Sequence, residues 1–121
     1  MPTPVEIPVQ NVLRGVGLTP AVFTAADATN DHFMYNDGRT VLVCKNKSAG
    51  AIDVTIVGVT NQNGRTGNLV LSVPAKTGEA DGVAVAPLLN PESWNGALGK
   101  VSITVTVDTD LSFAALRFPQ L

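Results

Sequence analysis

The chain holds one histidine and one cysteine, so any acid–base or nucleophilic centre would have to be built from very few groups. His32 is the one side chain whose ordinary titration falls near neutral pH. As a hydrolytic base it would need an orienting carboxylate from Asp27, Asp31 or Asp37 and a nucleophile such as Ser48, Ser72 or Ser93. None of these serines lies in the glycine-flanked pattern that exposes a nucleophile on a sharp turn, so His32 is expected as a structural group hydrogen-bonded beside a turn. Asn30, Asp31, Asn36 and Asp37 offer the hard oxygen ligands that calcium takes, but the EF-hand spacing with its bidentate glutamate is absent. Turn formation through side-chain bonds to nearby amides accounts for them instead. The ten acids fall mostly in turns and supply no spaced pair for glycoside hydrolysis.

Cys44 sits in Val41-Leu42-Val43-Cys44-Lys45, where a thiol packs as a small hydrophobe. A lone cysteine excludes an intrachain disulfide and a cysteine zinc cluster. Asn46-Lys47-Ser48 matches a glycosylation sequon, read as coincidence in a chain whose first residues, Met-Pro-Thr-Pro-Val-Glu-Ile-Pro, lack the features of a secretory signal. Asn63-Gly64-Arg65-Thr66-Gly67 lacks the Lys-Ser/Thr and the helix of a phosphate loop and reads as a hairpin tip. Trp94, alone in a Pro/Asn/Gly-rich loop, either plugs the open end of a sandwich or projects as an anchor into another subunit. Sugar stacking would recruit more aromatics than the one Trp, one Tyr and four Phe present. No catalytic residue, cofactor or metal is expected, and the chain is read as a non-enzyme.

The elements that would position these groups are strands. Val101, Ile103, Val105 and Val107 alternate with Ser102, Thr104 and Thr106, which buries one face and wets the other. Leu111 to Phe118, after the Asp108-Thr109-Asp110 turn, is expected as the antiparallel hairpin partner of that strand. Further strands are expected at 40–45, 52–59, 69–73 and 82–86, with weaker ones at 12–14, 21–24 and 32–35. Turn clusters at Asn36-Asp37-Gly38, Lys47 to Gly50, Asn61 to Gly64, Gly78 to Gly82 and Asn95-Gly96 separate them. Helix is limited to a turn within Thr24 to Ala28 and a short turn at Asn90 to Trp94, with Asn90 as cap and Pro91 in the first position.

Residues 1–11 differ from the rest. Pro2, Pro4 and Pro8 exclude a helix, and Val5, Ile7 and Val9 alternate with polar residues or proline along an extended segment. The reading is an extended N-terminal arm over 1–11 and a single β-sandwich domain over 12–121. Val5, Ile7, Val9 and Trp94 are its candidate protein-binding residues. The arm can fold back as an edge strand of its own domain or dock on another subunit.

A length of 121 residues allows one core, and 45% hydrophobic with 15% charged residues describes a folded chain. Eight basic residues scattered against ten acidic ones, a net charge of -2, give no field for phosphate backbones, so nucleic acid is not an expected partner. No apolar run reaches the length of a membrane span, so neither is a membrane. The fold class is all-β, an antiparallel sandwich of jelly-roll-like or immunoglobulin-like order.

Several stretches carry a resemblance: Thr24-Ala25-Ala26-Asp27 with His32-Phe33, then Asn36-Asp37-Gly38-Arg39-Thr40-Val41-Leu42-Val43 leading to Lys45-Asn46, then Val54-Thr55-Ile56, Val73-Pro74-Ala75, Gly99 to Val105 and Ala114-Ala115-Leu116. Over residues 20 to 118 the chain resembles small β-sandwich structural proteins encoded among the head genes of tailed bacteriophages, often capsid decoration or cement proteins. The resemblance implies a non-enzymatic virion component, made in the host cytoplasm, that sits on the capsid exterior. It implies a homotrimer that staples neighbouring major capsid protein subunits. The alternative reading is a carbohydrate- or surface-binding β-sandwich module, such as a tail or fibre accessory protein.

Overall fold

Val101, Ile103 and Val105 are buried while Ser102 faces solvent, and the same two-residue period recurs along Ile52, Val54 and Ile56. A computed structural model describes residues 3–13, 17, 21–59, 67–89 and 91–119. Within them the strands are β1 (Val5–Glu6), β2 (Val9–Asn11), β3 (Thr24–Ala25), β4 (His32–Tyr35), β5 (Thr40–Asn46), β6 (Ile52–Val57), β7 (Leu69–Val73), β8 (Gly82–Val85), β9 (Lys100–Val105) and β10 (Leu111–Arg117). They form two packed sheets, β1-β4-β9-β6-β7 and β2-β10-β5-β8, with β3 also paired to β10. The protein is an all-β sandwich. Each sheet is mixed, because β1 runs parallel to β4 and β2 parallel to β10, while the other pairs are antiparallel.

The inner faces meet through Met34, Leu42, Cys44, Val54, Ile56, Val73, Ile103 and Phe113. β6 and β7 form a hairpin, at whose base Gly58 is needed: a Cβ there would lie 1.8 Å from the Gly67 carbonyl oxygen. The hairpin tip expected at residues 61–64 lies outside the described residues, as do Arg14 of the weak first strand and the Asn90 cap. Pro91 does open a single helical turn, Pro91–Trp94.

One expectation is corrected. β9 and β10 are not a hairpin: β9 lies between β4 and β6 in one sheet, and β10 between β2 and β5 in the other. The intervening residues carry the chain across the sandwich, with Asp110 at φ 64 and the Asp108 carboxylate accepting the Ala28 N–H at 3.0 Å. Alternation reveals which face of a strand is buried and is silent about which strand lies beside it. The strand also ends at Val105, so Val107 is exposed rather than buried.

The N-terminal segment is extended, as its prolines require, and it is built into the sandwich. Val5 N–H donates to Asp31 C=O and Ile7 N–H to Phe33 C=O, both at 2.9 Å. The chain then crosses at Ile7 and Pro8 to pair with β10 through β2. Ile7 is fully buried between the sheets. Replacing a buried isoleucine by alanine costs about 2–5 kcal/mol, so Ile7→Ala is expected to lower the denaturation midpoint by that equivalent. Exposed Val22→Ala is expected to move it by no more than about 0.5 kcal/mol. Equal midpoints for the two variants in urea unfolding would contradict the placement of the segment.

Candidate interaction surface

His32 opens β4 and is buried. Its Nε2 accepts the Asp27 N–H at 2.9 Å, which assigns the proton to Nδ1, and Nδ1–H donates to the Val5 carbonyl oxygen at 3.2 Å. The ring lies edge-on to Phe113, with centroids 5.0 Å apart. Both nitrogens are thus spent on main chain, one on the 27–31 turn and the other on β1, and neither is turned to a serine. Burial pulls the imidazole below its ordinary value, opposed by the Val5 carbonyl and the Asp27 and Asp31 carboxylates.

Other sequence candidates are dispersed. Asp27 caps the turn by accepting from the Thr29 and Asn30 amides, and its bond from the Asn30 side chain leads the effects that hold its carboxyl below the ordinary range. Asn36 and Asp37 lie at the far end of β4 from Asn30 and Asp31, so the four oxygen-bearing residues do not converge. Among the described residues no group of three or more His, Cys, Asp or Glu side chains is placed to hold a metal ion. Cys44 is buried among aliphatics, which pushes its thiol up to about 12. Asn46 of the sequon is buried too, its amide donating to the Gly50 and Pro74 carbonyls at 2.9 and 3.1 Å and accepting the Ser48 N–H at 2.8 Å. A glycan on that nitrogen is incompatible with this fold. Gly64 to Thr66 lie outside the described residues, as does the side chain of Ser93; Ser72 stands on the exposed face of β7.

Of the candidate protein-binding residues, Ile7 belongs to the protein's own core. Val5 is half-buried, and Val9 and Trp94 are half-buried, packing against that core. Trp94 sits at the end of the sandwich that a pair of asparagines ties together. The Asn36 amide donates to the Leu89 carbonyl at 3.0 Å and to Asn95 Oδ1 at 2.8 Å, while Asn95 Nδ2 donates to the Asn36 carbonyl at 2.6 Å. Beside that corner, where the N-terminal segment changes sheets, lies a cleft of about 420 Å³ lined by Glu6, Pro8, Val9, Tyr35, Arg117 and Leu98 among others. The Asp37 carboxylate accepts Arg117 Nε at 2.6 Å at its edge. Burial pushes that carboxyl up, and the Arg117 bond, the Arg39 amide and the two guanidinium charges together hold it below the ordinary range.

Leu98 is what the sequence did not reveal. It is 83% exposed and held at φ 61, directly before Gly99 at φ 75. A left-handed backbone costs a branched residue about 1–2 kcal/mol, and an exposed leucine recovers none of that by burial. Gly99 was the available signal, since a glycine after a helical turn often marks this conformation, yet nothing in the sequence placed the preceding leucine there. Polar residues line a second groove of about 440 Å³, on the outer face of the other sheet side, with Asp31, Asp53, Thr55, Thr104 and Thr106.

The His32 geometry sets a pH dependence. The folded-state value is depressed, so the stability it supplies is complete above the unfolded value of 6.5 and is lost as pH falls through 6.5 towards the folded value. The melting temperature of the wild type is expected to fall between pH 7 and pH 5. In His32→Gln it is expected to be lower at pH 7 and flatter across that interval. Parallel profiles for the two proteins would contradict the assignment.

Comparison with protein-family models, curated proteins and solved structures finds no match to this chain.

Proposed function

We propose that this chain is a virion structural protein, a capsid decoration or cement protein that binds the outside of a phage head and bridges major capsid protein subunits. The observation that carries the reading is Leu98, a large apolar side chain held exposed at positive φ on the rim of a cleft. Strain of this sort persists where a function uses it, and an exposed leucine beside an apolar cleft suits an anchor for another protein. Chemistry points the same way: His32, Cys44 and Asn46 are each consumed inside the fold, while Leu88, Val107 and Phe118 stand exposed.

The burial of Ile7 changes how the N-terminal segment takes part. Its outward residues Glu6 and Pro8 form one wall of the cleft, so the segment contributes as a wall of the contact surface while remaining paired to its own domain. The carbohydrate-binding alternative no longer rests on Trp94, which packs against the core. It rests on the threonine-lined groove with Asp31 and Asp53, and a glycan array read with Asp53→Ala separates it from the first reading.

The test is co-sedimentation of the purified chain with expanded heads stripped of accessory proteins. Saturable binding to heads is expected, and Leu98→Gly is expected to weaken it at least about tenfold, a loss near 1.4 kcal/mol. The same substitution relieves the left-handed strain and is expected to raise stability by about 1 kcal/mol. Failure to bind heads, or unchanged binding by Leu98→Gly, would overturn the reading.

A further inference from the structure

β8 is the outer strand of its sheet, and one hydrogen bond fixes which of its peptide groups face outward. Ala86 N–H donates to Leu42 C=O at 2.9 Å, in register with Val85 opposite Val43, Ala84 opposite Cys44 and Val83 opposite Lys45. Antiparallel pairs alternate between bonded and non-bonded positions. Ala84 and Gly82 therefore bond to β5 as Ala86 does, and Val83 and Val85 turn their N–H and C=O groups away from it. Among the described residues no backbone partner is found for those groups. The side chains of Val83 and Val85 are 51% and 57% exposed.

Such edges are ordinarily guarded by lysine, proline or a bulge. Residues 82–86 read Gly-Val-Ala-Val-Ala, with no charge and no proline. At the other side of the molecule the edge strands β1 and β2 are two and three residues long and are preceded by Pro4 and Pro8. β7, the free edge of the other sheet, also lacks charge and proline but turns Val70 and Ser72 outward and runs into Pro74, whereas β8 turns two valines outward and is self-complementary. We propose that it seats a second copy of this chain, paired antiparallel about a two-fold axis through Ala84.

In that register Val83 faces Val85 of the partner subunit, and Val85 faces Val83 of the partner subunit. Both pairs join outward-turned peptide groups, so each exchanges two N–H···O=C bonds. The exposed valines come together on the outer face of the joined sheet, next to Val43, which lies beside Val85 on β5. No like charges oppose one another over residues 82–86. The next outward position, Pro87, has no N–H to donate, which ends the ladder. Because the contact is isologous it closes as a pair and does not propagate into a fibre. The inference is independent of the decoration reading, and an even-numbered assembly differs from the trimer that the resemblance implied.

Sedimentation equilibrium of the full chain from about 1 μM to about 1 mM is expected to show a mass that doubles with concentration. Val83→Lys and Val85→Lys are each expected to raise the dimer dissociation constant at least about tenfold while leaving the melting temperature of the dilute, monomeric chain unchanged, since both side chains are exposed there. Val70→Lys, exposed on β7, is expected to leave it unchanged. Register is tested by cross-linking: an oxidised mixture of Val83→Cys and Val85→Cys chains is expected to give a disulfide heterodimer, and Val83→Cys alone is expected to give none. A mass of one chain throughout, an assembly indifferent to both lysine substitutions, or equal cross-linking by Val83→Cys alone would overturn the proposal.

Discussion

A peptide group removed from water must find a partner, and that demand organises this sandwich around β5. Its even residues Leu42, Cys44 and Asn46 send their main chain to β8, and its odd residues from Val41 to Lys45 send theirs to β10, as the flanking bonds Ala86 to Leu42, Lys47 to Asp110 and Phe118 to Arg39 require. The side chains of Leu42 and Cys44 fill the core between the sheets. On the β10 side the ladder continues to β2 and β3. On the β8 side it stops with donors and acceptors facing outward. The sheet that is finished on one flank is unfinished on the other.

The same requirement explains where the polar chemistry went. His32, Asn36 and Asn46 are buried: His32 spends both ring nitrogens on main chain of the 27–31 turn and β1, Asn46 bonds main chain of the 48–50 and 73–74 segments, and Asn36 divides its bonds between the Leu89 carbonyl, the Gly38 amide and Asn95 Oδ1. No buried side-chain nitrogen or oxygen among the described residues is left without a partner. An interior satisfied in this way holds loops in place and leaves these groups no free proton or lone pair for a substrate. Large apolar side chains remain exposed at Leu98 beside the cleft and at Val83 and Val85 of β8.

Much of the fold was legible because burial of alternate residues leaves its mark directly on the sequence. Ile52, Val54 and Ile56, or Val101, Ile103 and Val105, announce a strand and its inner face without any knowledge of neighbours. Pairing was not legible, since β9 and β10 lie adjacent in sequence and yet in different sheets, β9 between β4 and β6 and β10 between β2 and β5, and alternation does not record which neighbour a strand takes. The role of the N-terminal segment was half legible: its prolines dictated an extended chain, whereas the burial of Ile7 depends on a gap between two sheets that no local pattern records. Leu98 and the parity of β8 were hidden for the same reason. One is set by backbone torsions and the other by the register of a neighbouring strand.

Residue-resolved amide hydrogen exchange on the dilute chain tests the central claim that bonding capacity is satisfied within the sandwich and left open along β8. The account requires slow exchange at Leu42, Cys44 and Ala84, fast exchange at Val83 and Val85, and slowing of the latter two as concentration rises. Protection of Val83 and Val85 equal to that of Ala84 in the dilute chain would contradict it.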